Sequence, residues 1–376
     1  MVDPSRGVIS VLSSVPDCRL DRTKAHSLCS ILLGTLIAVI CDCDSYVEVA
    51  DFMQSQFTWL IQYVDMPNGP PSHDTISRVF RLLKPVTLSK AFSDCLDLMQ
   101  VKLKDKVVAI DGKCLRGSFD TYTDKSAIYM VSAWAVERGL VLGQIKVDDK
   151  SNEITAIPQL LDLIDLTGAV VTIDAMGCQR KIAQAIVDKG ADYLLAVKGN
   201  QPELEDAVTY ALDTALDTPG TGLESQRVKF FDKDHGRLEE RRYLCLNADT
   251  ISWSELSSKW AGLKSLVVVE YRSTKDGKTT TERRYFISSL PPNVTTLARA
   301  VRGHWGIENS LHWILDVNFR EDHSRVRMDN GPENFAIIRH LTLNVLKGDG
   351  SKNISIRRKR KKAAREPQYR DLLLKN

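Results

Sequence analysis

The stretch GAVVTIDAMGCQRKIAQAIVDKGADYLLAVKGN, residues 168–200, contains two short apolar runs on either side of an amphipathic segment. GAVVTID and DYLLAVK are rich in valine and leucine and have the length of buried strands. Between them, CQRKIAQAIVDKG has the spacing of a helix that ends at Gly190. Strands that alternate with helices are typical of an α/β protein, so this stretch predicts part of a mixed α/β sheet.

The residues before this stretch extend the same pattern. KVVAID, which ends at Asp111, predicts another buried strand, and AIYMVSAWAV and LVLGQIKV predict a hairpin with ERG between its strands. The following segment, ITAIPQLLDLI, predicts a helix. The predicted order is therefore strand, strand, strand, helix, strand, helix, strand.

The rest of the chain divides into further parts. The first 100 residues contain helical segments such as SLCSILLGTLIAVICDCDSYVEVADFMQ and SHDTISRVFRLL, with few strand signals. From about residue 201 to 289, RRYLCLN, LKSLVVVEYRS and TTTERRYFISSL predict the strands of a β-rich insertion. Helices are expected again at 295–319 and 332–347. We therefore predict a helical N-terminal domain over residues 1–100, an α/β domain over 101–347 with the insertion at 201–289, and a basic tail over 348–376.

The charge of the chain is unevenly distributed. The net charge is +3, but the last 26 residues hold ten basic and two acidic residues, so the first 350 carry a net charge of −5. The body of the protein therefore depends on local patches for any binding of a polyanion. Two interpretations of the tail remain open: a solvated, partly disordered terminus, or a segment that contacts phosphates without sequence specificity.

Composition also argues against several classes of protein. The eight cysteines include no C-x-x-C pair, so we expect neither a disulfide framework nor a zinc ribbon, and we expect reduced thiols in the cytoplasm. The longest apolar run, ILLGTLIAVIC, is shorter than the roughly 20 residues of a membrane span, so no membrane partner is expected. Because the chain lacks a nucleotide-binding P-loop, a dinucleotide-binding glycine fingerprint and a G-x-S-x-G elbow, neither ATP dependence nor serine hydrolysis is indicated.

Two of the predicted buried strands end in an aspartate, Asp111 and Asp174. Each alone has an ordinary structural explanation, because Asp111-Gly112 suits a turn and Asp174 suits the N-cap of a helix. Together, in near-identical contexts, they favour a function, because carboxylates at strand ends converge at one edge of an open α/β sheet. Such a pair suits Mg²⁺ or Mn²⁺, which prefer oxygen ligands, and two ions typically need a third carboxylate.

The segment RGHWGIENSLHWILD, residues 302–316, supplies a candidate for that third acid. Residues four apart share one face of a helix, which here gives a polar stripe of His304, Glu308, His312 and Asp316. Glu308 is the acidic residue at its centre, and the two neighbouring tryptophans are expected to pack the helix against the sheet. An alternative is that His304, Glu308 and His312 hold one zinc ion, although this is not the H-E-x-x-H pattern.

Seven motifs stand out along the chain: VVAIDGKCLRGS, SNEITAIPQLL, VVTIDAMGCQRKIAQAIVDKGADYLLAVKGNQ, HGRLEERRY, HWGIENSLHWILDVNFRED, CDSYVEVADF and NGPPSHDTISRVF. The first five together resemble the H-repeat-associated insertion-sequence transposases. The last two resemble the helical domain that precedes the catalytic part in that family. The resemblance covers nearly the whole chain and is weakest in the tail.

The resemblance implies a DDE transposase with a ribonuclease-H-like core. The three acids of the family fall on Asp111, Asp174 and Glu308, which would hold two Mg²⁺ or Mn²⁺ ions, with Asp111 bridging both. Water would cut the phosphodiester bond at the transposon end, and the freed 3′-hydroxyl would then attack target DNA. The pairing of two transposon ends implies a homodimer in the DNA complex, and the protein would be bacterial and cytoplasmic, associated with the nucleoid when bound to DNA.

DNA is expected to contact basic and imidazole side chains in or near these motifs, which are Lys113, Arg116, Lys198, His235, Arg237, Arg302, His304 and His312. Broader relatives place a tyrosine, an arginine and a lysine around the glutamate, where this chain has Val301, His304 and Leu315, so Arg302 and His312 are expected to substitute. Solvated surface charge is the alternative for several of these residues. Two other functions remain open: a catalytically inactive or repurposed relative that binds DNA, and a zinc-dependent hydrolase of another substrate.

Overall fold

The computed structural model describes residues 4–120, 126–147, 152–218, 224–234, 237–250, 258–350 and 353–375. Its strands are β1 (Val107–Cys114), β2 (Tyr129–Ala135), β3 (Leu140–Lys146), β4 (Val170–Ile173), β5 (Asp192–Val197), β6 (Ser225–Asp234), β7 (Arg237–Asn247), β8 (Ser265–Lys275) and β9 (Lys278–Ser288). They form one nine-stranded mixed sheet in the order β3-β2-β1-β4-β5-β9-β8-β7-β6.

The helices lie on both sides of this sheet and at its ends. They are α1 (Pro4–Ser13), α2 (Leu28–Ile40), α3 (Tyr46–Ser55), α4 (Phe57–Leu60), α5 (His73–Leu82), α6 (Pro85–Leu98), α7 (Glu153–Asp162), α8 (Arg180–Asp188), α9 (Pro202–Asp217), α10 (Val294–His304), α11 (Trp313–Asn318), α12 (Gly331–Gly348), α13 (Ile356–Arg365) and α14 (Pro367–Lys375). Before β1, the described chain is helical and contains no strand, as the sequence predicts.

One half of the sheet contains the parallel strands. β1 pairs with β4 and β4 with β5 in parallel, while β2 is antiparallel to both β1 and β3. The first four residues of β1 and all of β4 are buried, which is why both runs are continuously apolar rather than alternating. The predicted order of strands and helices in this half is confirmed, although β1 continues to Cys114, beyond the expected end at Asp111.

The other half of the sheet is the β-rich segment. β6 to β9 form an antiparallel meander, and β9 pairs with β5, so the segment extends the central sheet. The strands predicted at β7, β8 and β9 are confirmed. The segment begins, however, with the helix α9, which the sequence analysis did not predict. Its helical signals are Pro202 at the first position and two glutamates in the first turn.

Helix α12 connects the N-terminal helices to the sheet. The Asn334 side chain donates hydrogen bonds to Phe80 O and Leu83 O, each at 2.8 Å, at the end of α5. The Asn344 amide pairs with both the N–H and the C=O of Val141 in β3, at 2.8 Å each. A single apolar core therefore contains side chains from the N-terminal helices, α12 and the C-terminal helices.

The basic tail is helical in its described part, and some of its charges are buried. Residues 353–375 contain α13 and α14, and Arg360 is fully buried with its guanidinium 4.3 Å from the Phe319 ring centre. Arg360 Nε donates to Val39 O at 3.0 Å, and the buried Lys359 ammonium also donates to backbone carbonyls. Backbone carbonyl groups 10 to 321 residues away in sequence satisfy these two charges, so the solvated interpretation does not hold for Lys359 and Arg360. Arg357, Arg358, Lys361 and Arg365 remain exposed, and a contact of these residues with phosphates stays a prediction.

No helix of the described chain is long and apolar enough to cross a membrane.

Candidate active site

Asp111 and Asp174 occupy equivalent positions on neighbouring parallel strands. The register pairs Ile110 of β1 with Ile173 of β4, and each aspartate is the next residue along the chain. Asp111 Oδ1 accepts a hydrogen bond from Gly112 N at 2.9 Å, and Asp174 Oδ1 accepts from two backbone N–H groups of the turn that follows it. The turn-forming role of Asp174 and its place beside Asp111 are therefore compatible.

The third acid lies in a wide helical turn. After α10 ends at His304, residues Glu308–His312 form a π-helical turn, in which Trp313 N donates to Glu308 O. Such turns are frequent at functional sites because they rotate the following side chains relative to a regular helix. Here the His312 side chain is buried, 6% exposed, while Glu308 remains 72% exposed.

His312 links two of the acids. Its Nδ1 lies 3.2 Å from Glu308 Oε2 and 3.6 Å from Asp111 Oδ2, and ligand atoms of all three residues lie within 4.8 Å of one another. Burial lowers the pKa of His312, so the ring is neutral at pH 7 and its Nδ1–H donates to Glu308. The ring is buried against the acids and does not face solvent, so its contact with DNA phosphates stays a prediction.

The predicted four-residue stripe separates into three sets of contacts. Only Glu308 and His312 face each other, because the π turn changes the helical register. His304 Nδ1 lies 3.2 Å from Thr172 Oγ1, and Asp316 accepts a hydrogen bond from a lysine at 2.6 Å. Among the described residues, Asp111, Glu308 and His312 form the compact group of possible metal ligands; His304 and Asp174 lie outside it, although both line the same cavity. The zinc site of His304, Glu308 and His312 is not formed.

The two tryptophans do not both pack against the sheet. Trp313 is 55% exposed, contrary to the expectation that it would be buried. Trp305 is half-buried, and its ring lies 4.6 Å from the Arg284 guanidinium. This tryptophan lines the cavity in front of the acids.

That cavity has a volume of about 580 Å³ and opens between β4, β5, β9 and the end of α10. Both aspartates and Glu308 line it, together with the cationic or aromatic side chains of Lys198, Arg283, Arg284, Tyr285, His304 and Trp305. Lys198 is exposed at its rim, as expected for a residue directly after a buried strand. The wall opposite these three acids holds three cations, of which Arg283 and Arg284 are paired with carboxylates, and it also contains Glu205 and Glu282. We call the part formed by Lys198 and Arg284 the basic wall.

The acids repel one another in the absence of a cation. Burial first, and then the charges of Asp174, Glu153 and Glu308, raise the pKa of Asp111 to about 7 against the lowering effect of the Gly112 N–H. Apart from the neutral His312, no described basic side chain lies within 4.0 Å of these four carboxylates. Oxygen donors with uncompensated negative charge fit a hard divalent cation such as Mg²⁺ or Mn²⁺.

Lys113, for which a phosphate contact was expected, does not line the cavity. Its ammonium lies 2.6 Å from Asp316, 2.8 Å from Glu321 and 3.5 Å from Asp322, and its side chain is 11% exposed. Arg339 approaches Glu321 from the other side at 3.6 Å. The lysine is already neutralised within the protein, so it has no free charge for DNA.

Three arginines predicted to contact DNA do not line the cavity. Arg116, Arg237 and Arg302 have side-chain exposures of 81%, 44% and 56%, and Arg302 pairs with Asp232 at 3.0 Å. These three are surface charges in the structure. His235 lies outside the described residues.

The sequence analysis missed Glu153 at this site. The residue is the first of α7, and its carboxyl group lies against Gly112, the neighbour of Asp111. A usable signal was present in the motif SNEITAIPQLL, where an asparagine N-cap precedes a glutamate at the start of a helix. The distance in sequence from Asp111 concealed the contact.

The sheet, the strand-end aspartates and the glutamate on a late helix define an α/β protein with a polyacidic site suited to phosphoryl transfer. A family model described as "Transposase DDE domain" matches residues 102–345, and one described as "DDE_Tnp_1-associated" matches residues 9–95. The chain belongs to the DDE transposase family.

Individual relatives agree with this membership. The chain is 40% identical over 369 residues to "Putative transposase YncI" of Escherichia coli O157:H7, covering 97% of this chain and 93% of the relative. It is 39% identical over 366 residues to "H repeat-associated putative transposase YhhI" of Escherichia coli strain K12, covering 95% of each. A solved piggyBac transposase synaptic complex with hairpin DNA has a TM-score of 0.45 and 10% identity, covering 100% of this chain and 81% of that one.

Proposed function

We propose that this protein is a DNA transposase that hydrolyses the phosphodiester bond at transposon ends and transfers the freed 3′-hydroxyl into target DNA. The observation that supports this most is the convergence of Asp111, Asp174 and Glu308 on one cavity without a neutralising cation. We also infer a ribonuclease-H-like core, since the half-sheet β3-β2-β1-β4-β5 combines three parallel strands with an antiparallel hairpin.

The same proposal assigns roles to the parts of the chain. Residues 1–100 form the helical N-terminal domain, residues 101–347 the catalytic domain with the insertion at 201–289, and residues 348–376 the tail. DNA is the partner, two subunits pair the two ends, and the protein acts in the bacterial cytoplasm, on the nucleoid.

Asp111, Asp174 and Glu308 would hold two Mg²⁺ or Mn²⁺ ions through their carboxylate oxygens. When bound, such ions activate the attacking oxygen and stabilise the leaving oxygen of a phosphodiester. The neutral His312 ring orients Glu308 by donating its Nδ1–H at 3.2 Å. Because that ring is buried, it holds the most exposed of the three acids in one position before DNA arrives.

The basic wall of the cavity positions the DNA. Lys198 and Arg284 line it opposite the acids, and Arg284 also lies against the Trp305 ring. Arg284 shares its charge with Glu282 at 2.7 Å, whereas Lys198 is the exposed one. These cations would contact phosphates on either side of the scissile bond, which fixes the register of the strand without reading its sequence.

Cleavage of DNA that flanks the gene tests this function. A plasmid that carries both flanks is incubated with the protein and Mg²⁺, and the new 3′-hydroxyl ends are mapped. We expect cuts at terminal inverted repeats, and we expect Asp174→Asn to lower the rate at least about 10³-fold while DNA binding is kept, because charge stabilisation at such a site is worth several kcal/mol. Asp188→Asn, an exposed aspartate on α8, is the matched control and should cut normally.

DNA binding without any cutting by the unaltered protein would instead identify an inactive or repurposed relative. Cutting by Asp174→Asn at the normal rate would show that the Asp174 carboxylate is not needed for catalysis.

A further inference from the structure

A fourth carboxylate approaches the Asp111 strand end from the opposite face of the sheet. Glu153 opens α7, and the Asn152 side chain fixes that helix start by accepting a hydrogen bond from Ile154 N at 3.1 Å. α7 packs on β2, β3 and α8. The position of Glu153 is therefore set by a regular helix that packs on the sheet rather than by a loop.

Gly112 makes room for this carboxyl group. A Cβ atom at position 112 would lie 2.0 Å from Glu153 Oε1 and 2.5 Å from its Cδ, far inside any real contact. Gly112 pairs regularly with Val131 in the β1–β2 ladder and has no positive φ, so its conformation does not require glycine. Glycine is needed here because any side chain at position 112 would occupy the place of the Glu153 carboxyl group.

The two carboxylates flank the same residue. Gly112 N donates to Asp111 Oδ1 at 2.9 Å, while the other side of Gly112 meets Glu153. Successive residues of a strand face opposite sides of the sheet, so Asp111 points to the layer of Glu308 and His312, and Gly112 points to the layer of α7. The end of β1 is thus approached by acids from both layers.

Glu153 has no described basic partner. No described Lys, Arg or His lies within 4.0 Å of its carboxylate, whereas the acids around Lys113 each lie within that distance of a cation. Burial and then the charge of Asp174 raise the pKa of Glu153, which locates it in the field of the same acids. The half-buried Glu153 carboxylate adjoins Gly112, the neighbour of Asp111, and no described cation offsets its charge.

We infer that Glu153 is a fourth cation-binding carboxylate of this site, acting together with Asp111 and Asp174 from the layer opposite Glu308. The inference rests on the proposed function, since it concerns the same divalent ions. Charge balance supports it: three carboxylates leave two divalent cations with one excess positive charge, and a fourth carboxylate neutralises it. A role limited to stabilising the N-terminus of α7 would not require the glycine at position 112.

Binding of Mn²⁺ to the DNA-free protein tests the inference, with free Mn²⁺ followed by its electron paramagnetic resonance signal. We expect Glu153→Gln to weaken binding by at least about tenfold, since even the outer partners of metal ligands contribute roughly 10- to 100-fold in affinity. Glu203→Gln is the matched control, because Glu203 lies in the first turn of α9, is exposed and does not line the cavity. It should bind Mn²⁺ like the unaltered protein.

Gly112→Ala provides a second test that keeps the carboxyl group. The added methyl displaces Glu153, so binding should weaken to a similar extent, and the double variant should be no weaker than Glu153→Gln alone. Unfolding midpoints without Mn²⁺ verify that each variant is folded, and Gly112→Ala decides the matter should Glu153→Gln not fold.

Two failures are distinguishable in the same experiment. Normal Mn²⁺ binding by Glu153→Gln or Gly112→Ala, with binding lost in Asp111→Asn, would overturn the role of Glu153 and leave the proposed site standing. Normal binding by Asp111→Asn, or no binding by the unaltered protein, would overturn the site and the role of Glu153 together.

Discussion

Asp111 and Lys113 lie two residues apart on β1, and a group of carboxylates surrounds each of them. The two groups differ in whether a cation of the protein neutralises them. The neutralised cluster is Asp316, Glu321 and Asp322, which surround the buried ammonium of Lys113 at 2.6, 2.8 and 3.5 Å. The open cluster is Asp111, Asp174, Glu153 and Glu308, whose only described basic neighbour is the neutral His312. The same chemical groups therefore serve two purposes.

Electrostatics explains the difference. A buried carboxylate is expensive unless a cation and hydrogen bonds offset the loss of water, and the Lys113 ammonium provides both for the neutralised cluster. The open cluster has no such cation among the described residues, so burial, together with repulsion from the neighbouring acids, raises the pKa of Asp111. The first cluster stabilises the fold, while the second is left ready for a cation from solution.

The largest expected effect on stability lies in the neutralised cluster. Glu321 is 1% exposed and contacts both Lys113 and Arg339. Glu321→Gln therefore removes one of three acids around Lys113 and leaves the buried Arg339 without a described carboxylate within 4.0 Å. We expect the free energy of unfolding to fall by about 3 kcal/mol or more, measured by urea denaturation. Asp94→Asn, which removes an exposed pair with Lys90, should change it by less than about 1 kcal/mol. Equal stabilities of these two variants would contradict the comparison.

In the open cluster, we expect removal of a carboxylate charge to stabilise the protein, by less than the loss expected for Glu321→Gln. Because the pKa of Asp111 is raised from 3.8 to about 7, the folded protein retains a proton that the unfolded chain releases, so stability falls as pH rises through this window. Without divalent cations, the free energy of unfolding of Asp111→Asn should therefore rise relative to that of the unaltered protein as the pH increases from 5 to 8. The gain should be roughly 2 kcal/mol, a discounted figure for a side chain that is 25% exposed.

Thermal unfolding in EDTA across this pH range measures that gain, and saturating Mn²⁺ should abolish it. A stability difference that does not change with pH would show that Asp111 is not under repulsion.

The smallest expected effect concerns the basic wall of the cavity. Lys198 is exposed and free to meet a phosphate, so Lys198→Ala should reduce the slope of log Kd for DNA against log salt concentration by about 0.9. Lys90→Ala, on α6 and away from the cavity, is the control. An unchanged slope for Lys198→Ala would show that Lys198 does not contact a DNA phosphate.

Local patterns predicted the scaffold of the open cluster well. Runs such as VVAID and VVTID are continuously apolar because their strands are buried on both faces, and that pattern also located Asp111 and Asp174. Glu308 was found because it is the single carboxylate at the centre of an unusual segment. The sequence did not predict the π turn, since the spacing of residues there fits a regular helix equally well.

Contacts between distant residues could not be predicted in this way. The partners of Lys113 lie more than 200 residues away, so nothing near it distinguishes a buried cation from a DNA contact. Neither interpretation of the tail included a buried Arg360 for the same reason, because its backbone partner Val39 is 321 residues earlier. Charge alone does not say whether a neighbour in the fold already neutralises it.

Anomalous scattering from crystals soaked in MnCl₂ tests the central claim most directly, since it locates cations without requiring a DNA substrate. The account predicts Mn²⁺ peaks at the open cluster, in contact with Asp111 and with carboxylate oxygens of Asp174 and Glu308, and none at the neutralised cluster. A single ion held by Glu308 and His312 without Asp174, or no ion at all at saturating Mn²⁺, would contradict it.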